Sequence, residues 1–333
     1  MKICSLISSG TEIAFALGLG DHVVAVTEYC NYPPEARRRR VVSRGVIDIF
    51  RLSAREVDER VQELAKAGKP AYLFDTRWLA EVKPDLILTQ DMCRSCDLEA
   101  STVFDAIADF EPKPQVLVLN PRRLADILTN IRRVGEATGV APMADELVRR
   151  LQGRIDRIVQ LVSRTSYGPR VLFLEWTDPP SPAGDWIPEQ VELAGGRPQL
   201  GEAGLAPVRL TWDAVVRCDP DVIIIGPCSH DIARGLREMP ALVRREGWWD
   251  LKAVRAGNVY IVNSEYYDRP GPRVVNGIEV LAQLLHPELV AGIVHPQTAV
   301  KLQPSDRPYR AEDIASLFKP YPHYSEKAIS GMG

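Results

Sequence analysis

The stretch WLAEVKPDLILTQ at Trp78–Gln90 recurs in altered form as WDAVVRCDPDVIIIGP at Trp212–Pro227. Each copy has the pattern of a helix that ends in a Pro-Asp turn and is followed by a short run of aliphatic residues. Such runs are typical of buried strands in a parallel sheet. The two copies are much too far apart for a solenoid, so the repeat predicts two similar α/β lobes.

The repeat extends on either side of these copies. KICSLISSGTEIAFAL from Lys2 corresponds in layout to RVLFLEWTDPPSPAG from Arg170, and QVLVLNPRRLADIL from Gln115 corresponds to NVYIVNSEYYDRPGP from Asn258. Three strand-plus-crossover units in the same order predict an α/β fold of two Rossmann-like lobes with mainly parallel sheets. Two lobes imply a cleft, and a cleft is where a ligand is expected.

A long helical pattern separates the two halves. Apolar residues recur at steps of three and four from Met143 to Val162, and a spine helix over 141–164 would be about 35 Å long. Helix-capping signatures begin at Ser9 and at Ser53. We predict an N-terminal lobe at 1–122, connecting helices at 123–166 that include the spine helix, a C-terminal lobe at 167–288, and a proline-rich extension at 289–333 that lies on the surface.

The composition excludes several classes of protein. The 333 residues carry a net charge of −3, which argues against nucleic acid as a partner. No stretch reaches the roughly 20 apolar residues of a membrane span, and no export signal precedes the first strand. We therefore expect a cytoplasmic location, with a periplasmic or surface-anchored location as the alternative if the true start lies upstream. The basic run Arg37–Arg40 is interpreted as a solvated surface.

Side chains suited to ligand binding follow the predicted strands. Ligands of open parallel sheets bind beyond the carboxyl ends of the strands, and aromatic rings there would offer flat apolar faces to a large planar ligand. His230 is expected to lie at the polar rim of the cleft. No catalytic motif is complete, so a ligand-binding protein is expected rather than an enzyme. The candidate ligand-binding residues are Ser9, Thr11, Glu28, Tyr32, Asp91, Trp176, Asp178, Trp186, Tyr266, Tyr267, Arg269 and Arg273.

Four of the six cysteines lie in the same loops. Cys30, Cys93, Cys96 and Cys228 would supply four thiolates, enough for a tetrahedral zinc site or an iron–sulfur cluster. The Cys93-x-x-Cys96 spacing is a moderate signal for such a site. An iron–sulfur or zinc protein, possibly an enzyme, is therefore the alternative function. The other interpretation is that the four cysteines are small side chains beside a dry pocket.

The chain resembles the cobalamin-binding proteins of vitamin B12 ABC importers, within the wider iron-siderophore and B12 periplasmic-binding class. The resemblance covers about residues 2–286 and implies a corrinoid, such as cobalamin, held between two lobes that one long helix joins. It also implies that Tyr32, Trp176, Tyr266, Tyr267, Arg269 and Arg273 occupy loops that face the corrin. The motifs that carry it are SSGTEIAFALG (8–18), YCNYPPEA (29–36), KPDLILTQ (83–90), FLEWTDPP (173–180), VELAGG (191–196), DPDVIII (219–225) and RPGPRVVNGIEVLAQLL (269–285).

Two departures from that family bear on partners. Its members dock on permease arginines through one surface acid in each lobe, but Arg77 stands at the N-lobe position, whereas Asp213 keeps an acid in the C lobe. The cysteine set also lies outside the transporter pattern. These departures argue against docking to an ABC permease. A third possibility remains an ordinary importer component whose start lies upstream.

Overall fold

A computed structural model of this protein describes residues 1–91, 100–290, 298–303 and 310–321. The chain divides into two compact units, which are Met1–Gln152 with Arg269–Pro272, and Gly153–Asp268 with Arg273–Gly333. The division falls inside the long helix that the apolar stripe predicts. That helix is observed at Ala141–Val162, two residues shorter than predicted.

The first unit alternates strands and helices. In chain order its elements are β1 (Ile3–Ser5), α1 (Ser8–Ala16), β2 (Val23–Thr27), β3 (Arg40–Gly45), α2 (Ala54–Lys66), β4 (Tyr72–Phe74), α3 (Thr76–Val82), β5 (Leu86–Thr89), α4 (Ala100–Ala106), β6 (Gln115–Val118), α5 (Leu124–Ala137) and the first half of α6 (Ala141–Val162). Short 3₁₀ helices lie at Gly20–His22 and Pro34–Arg38.

The strands of the first unit form one sheet in the order β4-β3-β2-β1-β5-β6. All neighbouring pairs are parallel except β3 with β4. Cys4, Leu6, Ala25 and Ile87 pack in the core on this sheet. Strand β3 was not predicted, because its charged ends, Arg40 and Arg44, obscure the two valines between them.

The helix-capping predictions had different outcomes. The Ser53 hydroxyl accepts a hydrogen bond from the Glu56 amide, and the Glu56 carboxylate accepts one from the Ser53 amide, so this capping box is confirmed. The prediction at Ser9 is wrong, because α1 already begins at Ser8 and its N-cap residue, Ile7, has no polar side chain. The main chain therefore enters α1 directly from β1.

The second unit contains the remaining elements. They are β7 (Arg170–Thr177), β8 (Pro180–Pro182), α7 (Ile187–Leu193), β9 (Arg197–Pro198), α8 (Trp212–Cys218), β10 (Val222–Ile225), α9 (Ile232–Val243), α10 (Lys252–Arg255), β11 (Val259–Val262), α11 (Val274–Leu285), β12 (Ala299–Leu302) and β13 (Phe318–Tyr321). Short 3₁₀ helices lie at Trp248–Asp250, Ser264–Tyr266 and Ala311–Leu317. Within the described ranges no helix is both long and apolar enough to cross a membrane.

The second sheet has the order β13-β12-β11-β10-β7-β8, and β9 pairs with β7. Its central strands β7, β10 and β11 are parallel neighbours, as β1, β5 and β6 are in the first unit. The predicted threefold recurrence is therefore confirmed. This sheet is mixed, because β8, β12 and β13 pair antiparallel.

The Pro-Asp corners of the two units have the same hydrogen bonds. The amide of Asp85 donates to the Lys2 carbonyl, and the amide of Asp221 donates to the Arg170 carbonyl, each at 2.9 Å. Each preceding helix ends at a residue with positive φ, at 47° for Lys83 and 40° for Asp219. The repeated sequence therefore builds the same connection twice.

The described part of the predicted surface extension is integrated into the second sheet. Strands β12 and β13 continue the sheet beyond β11. Val300, Leu302, Ile314 and Phe318 are buried in its core cluster. The abundance of proline suggested an irregular segment, but Pro320 lies in β13, at the edge of the sheet, where a missing amide is tolerated.

Candidate functional site

Helix α1 and the loop that follows β2 in the first unit are joined through buried polar side chains. The Thr11 hydroxyl donates to the Ile7 carbonyl at 3.3 Å and lies 3.1 Å from the sulfur of Cys30. The Thr27 hydroxyl lies 3.3 Å from the same sulfur. Ser9 and Thr11 are both buried in α1. Ser9 and Thr11 are therefore buried polar residues of the first unit.

The predicted metal ligands are only partly described. Cys30 is buried between two threonine hydroxyls in the first unit, whereas Cys228 belongs to the second unit, with its sulfur 3.9 Å from the Ser229 hydroxyl. Cys93 and Cys96 lie outside the described residues. In the part of the chain that the structure describes, no group of three or more His, Cys, Asp or Glu side chains is arranged to hold a metal ion.

The loop after β2 presents one accessible aromatic side chain. Tyr32 is 43% exposed, which leaves much of its ring accessible. In the same loop the Glu28 carboxylate accepts a hydrogen bond from the Gly45 amide and so ties this loop to the end of β3. Asp91, after β5, is exposed, and its amide donates to Asn120 at 2.7 Å.

Arg269 contributes to the first unit, although it is distant in sequence. Its guanidinium donates to the side-chain oxygen of Asn31 and lies 3.8 Å from the buried carboxylate of Glu12. A buried carboxylate requires a compensating partner. Arg269 therefore holds the loop after β2 and helix α1 in addition to any contact with a ligand.

Trp176 and His230 form a pair at the carboxyl end of the second sheet. The rings are edge to face, with centroids 5.6 Å apart. The indole N–H of Trp176 donates to the Asp178 carbonyl at 3.1 Å, which fixes the orientation of the ring. Trp176 is half-buried, so part of the ring remains accessible.

Two of the predicted ligand-facing aromatic residues are core residues. Tyr267 is 0% exposed, lies 4.9 Å from Phe173 between ring centroids, and donates its hydroxyl to the Gly277 carbonyl. Trp186 is also buried and donates to the Tyr267 carbonyl at 2.8 Å. Burial raises the pKa of Tyr267 well above its ordinary value. These two rings stabilise the second unit and are not accessible faces there.

Two of the predicted polar ligands form ion pairs within the second unit. Asp178 accepts from Arg245 at 3.0 Å. Arg273 donates to Glu265 at 2.9 Å, and its guanidinium lies 5.7 Å from the centroid of the Tyr266 ring. Tyr266 is half-buried. Arg273 therefore orients Tyr266 and its loop.

His230 is buried, which corrects the expectation that it lies at a polar rim. It is 1% exposed, and its Nδ1 lies 2.7 Å from the Cys228 carbonyl, so Nδ1 carries the proton in the neutral ring. Nε2 has no hydrogen-bond partner within the described ranges. Burial, with a smaller contribution from Arg234, lowers the pKa of His230 to about 4.

Sequence reasoning did not find Asp268, which connects two loops of the second unit. Its carboxylate accepts from the Ser229 amide at 2.7 Å and from the Ser264 hydroxyl at 2.9 Å. The available signal was that Ser229 and Ser264 follow neighbouring parallel strands, β10 and β11, whose carboxyl ends share one sheet edge.

The two α/β units, with three parallel strands recurring in each and a long helix at their division, are typical of two-lobed binding proteins. The chain belongs to the periplasmic binding protein family, whose model matches residues 3–266. This match confirms the family resemblance that the sequence motifs indicate.

Curated relatives align with most of the chain. An uncharacterized ABC transporter substrate-binding lipoprotein of Bacillus subtilis, YvrC, is 26% identical, over 86% of this chain and 80% of its own length. The vitamin B12-binding protein of Vibrio cholerae is 24% identical over 85% and 88%, respectively. A cobalamin-binding protein of Halobacterium salinarum is 22% identical over 86% and 69%.

Solved structures share the fold. The periplasmic vitamin B12 binding protein BtuF of Vibrio cholerae superposes with a TM-score of 0.62 at 21% identity, covering 85% of this chain and 96% of its own. The periplasmic heme-binding protein RhuT of Roseiflexus sp. RS-1 gives 0.64 at 22% identity, covering 86% and 98%. The predicted two-lobed fold is therefore confirmed.

Proposed function

We propose that this protein is the substrate-binding component of an ABC importer and that its ligand is a corrinoid of the cobalamin type. One observation carries the proposal. Several relatives that align with most of the chain are named vitamin B12-binding or cobalamin-binding proteins. The position of the ligand between the two lobes remains a prediction from the sequence.

Three aromatic residues are the proposed ligand contacts. Tyr32 in the first unit follows β2, Trp176 in the second unit lies near the carboxyl end of β7, and Tyr266 follows β11. Each keeps part of its ring accessible. Flat apolar faces suit the planar macrocycle of a corrinoid. Arg269 and Arg273 hold the loops that carry Tyr32 and Tyr266, so their proposed role includes orientation of these rings.

The proposed location is outside the cytoplasm. The relative YvrC is named a substrate-binding lipoprotein of an ABC transporter. This name supports the periplasmic or surface-anchored alternative, and no comparison supports the cytoplasmic expectation. A protein at that location would deliver its ligand to a membrane permease, so we propose such a permease as its partner despite Arg77 at the N-lobe position.

A zinc or iron–sulfur function has no supporting contact within the described ranges. Cys30 packs against two threonine hydroxyls, and no metal-binding group is found among the described residues. We therefore do not propose a metal centre as the function of this protein.

Titration with hydroxocobalamin tests the proposed ligand. The expected result is a change in the corrinoid absorption spectrum and ligand that remains with the protein through gel filtration. Haem titrated in parallel distinguishes a corrinoid site from a haem site. Retention of haem alone, or of neither compound, would refute the corrinoid assignment.

Substitution of the aromatic residues tests the proposed contacts. Trp176→Ala and Tyr266→Ala should each weaken hydroxocobalamin binding by about tenfold, because loss of a stacked ring removes roughly 1–1.5 kcal/mol. Tyr167→Ala is the matched control, since Tyr167 is an exposed aromatic residue of the second unit outside the strand-end loops. Equal binding by all three variants would remove these rings from the site.

A further inference from the structure

The basic run of the first unit does not lie wholly in solvent. Arg37 and Arg38 are exposed in a 3₁₀ helix, as the sequence predicts. Arg39 and Arg40 instead line a pocket of about 550 Å³ together with Arg44. The remaining walls come from β3 and from the end of β4, with Val41, Val42, Leu73, Phe74 and Asp75.

The pocket brings together two arginines of β3. Arg40 and Arg44 both line it, and the register of β3 with β2 shifts between them. Leu73 of β4 is the cross-strand partner of Arg44 and is 62% exposed. The pocket therefore combines positive charge with an accessible apolar side chain.

The carboxylates around the pocket are already engaged. Asp75 accepts from the Trp78 amide at 3.1 Å as the N-cap of α3, and Arg40 donates to its other oxygen at 3.2 Å. The hydrogen bond from the Trp78 amide lowers the pKa of Asp75 below its ordinary value, and Arg40 lowers it further. Asp75 is thus a permanent anion whose charge is shared between Arg40 and the helix terminus.

The arginines retain capacity to bind a further anion. Arg39 pairs with the fully exposed Asp21 at 3.2 Å, a contact that water and ions can readily replace. Arg44 is exposed and forms no ion pair with any described residue. Guanidinium groups match the geometry of phosphate oxygens through paired N–H donors.

We propose that this pocket binds a phosphate group, either as free phosphate or as the headgroup of an anionic phospholipid. Arg40 and Arg44 supply the charged donors, and Leu73 contacts the organic part of an ester. The volume lies within the range of small-molecule sites. This site lies wholly within the first unit and is independent of the corrinoid proposal.

Thermal unfolding of the full chain in increasing inorganic phosphate tests the site, with sodium chloride at equal ionic strength as the reference. We expect a saturable rise in the unfolding temperature. Arg44→Gln should weaken phosphate binding about tenfold, because it removes charge-assisted hydrogen bonds. Arg40→Gln is a second, independent variant, and both should unfold at parental temperatures in chloride to within a few degrees.

Arg37→Gln is the matched control, since it removes the same charge from an exposed position outside the pocket. It should bind phosphate like the parent.

Co-sedimentation with phosphatidylglycerol vesicles, against phosphatidylcholine vesicles, distinguishes the two sources of the phosphate group. Vesicle binding that Arg44→Gln abolishes, without a response to free phosphate, assigns the headgroup. If Arg37→Gln and Arg44→Gln weakened phosphate binding equally, the binding would come from diffuse surface charge and the proposal would be overturned. Absence of binding to both phosphate and vesicles would also overturn it.

Discussion

His230 illustrates how the environment of one residue determines its chemistry. Its ring packs edge to face on Trp176 of β7 and donates through Nδ1 to the Cys228 carbonyl in the loop after β10. Protonation would place a second charge beside Arg234 in a buried environment. The folded protein therefore favours the neutral ring.

This preference predicts a pH dependence of stability. The pKa of His230 falls from 6.5 to about 4 on folding, so between these values the unfolded chain binds more protons than the folded protein. The stabilisation is complete above pH 6.5 and is lost as the pH falls toward 4. Between about pH 7 and about pH 4.5, the unfolding free energy of the parent should decrease by roughly 2–3 kcal/mol more than that of His230→Gln.

Urea unfolding at the two pH values measures this difference. His22→Gln is the control, because His22 is exposed. It should lose stability in parallel with the parent. A parent and a His230→Gln variant with equal losses would contradict a depressed pKa at this position.

At the scale of elements, the repeated helix–corner–strand connection is the unit from which both lobes are built. In each copy an aspartate after proline accepts from an amide at the start of the unit's first strand, Asp85 from Lys2 at 2.6 Å and Asp221 from Arg170 at 2.9 Å. The environments of the two aspartates differ. Asp85 is exposed, whereas the Asp221 side chain is largely buried and also pairs with Lys252.

Because their environments differ, substitution of Asp85 and of Asp221 by alanine should lower the unfolding free energy by different amounts. Asp221→Ala should lower the unfolding free energy by about 2 kcal/mol, since it removes hydrogen bonds to a charged and partly buried acceptor. Asp85→Ala should cost less than about 1 kcal/mol, because water can replace the exposed acceptor. Chemical denaturation of both variants provides the comparison, and an equal or larger loss for Asp85→Ala would contradict the assigned roles.

At the scale of the whole molecule, the C-terminal segment completes the second unit. Strands β12 and β13 cover the edge of β11 that would otherwise be unpaired, and Phe318 packs in the same core cluster as Trp248. The second unit thus depends on residues that come long after the family match ends at 266.

Phe318→Ala tests that dependence. The side chain is 6% exposed, and removal of a buried phenylalanine ring typically costs about 3–5 kcal/mol. Phe50→Ala is the control, because Phe50 is 61% exposed and its loss should cost less than about 1 kcal/mol. Thermal unfolding distinguishes the two, and a Phe318→Ala variant as stable as Phe50→Ala would return the segment to the status of a surface extension.

The sequence alone determined the repeated α/β architecture. The aliphatic runs in the two copies of the repeat were predicted as buried strands and are observed as β5 and β10, because buried parallel strands leave a strong local signal. The long helix α6 was predicted from its apolar stripe, because a helix that buries one face also leaves a periodic signal in the sequence. Family membership was also predictable, since motifs over most of the chain carry the resemblance.

Only the tertiary structure decided which strand-end residues are accessible. Tyr266 and Tyr267 are adjacent in sequence, yet Tyr266 keeps part of its ring accessible, whereas Tyr267 is enclosed against Phe173 and Trp186. Arg269 joins the first unit through Asn31 and Glu12, which precede it by more than 200 residues. Burial and ion pairing depend on neighbours that are distant in the chain, so no local pattern reports them.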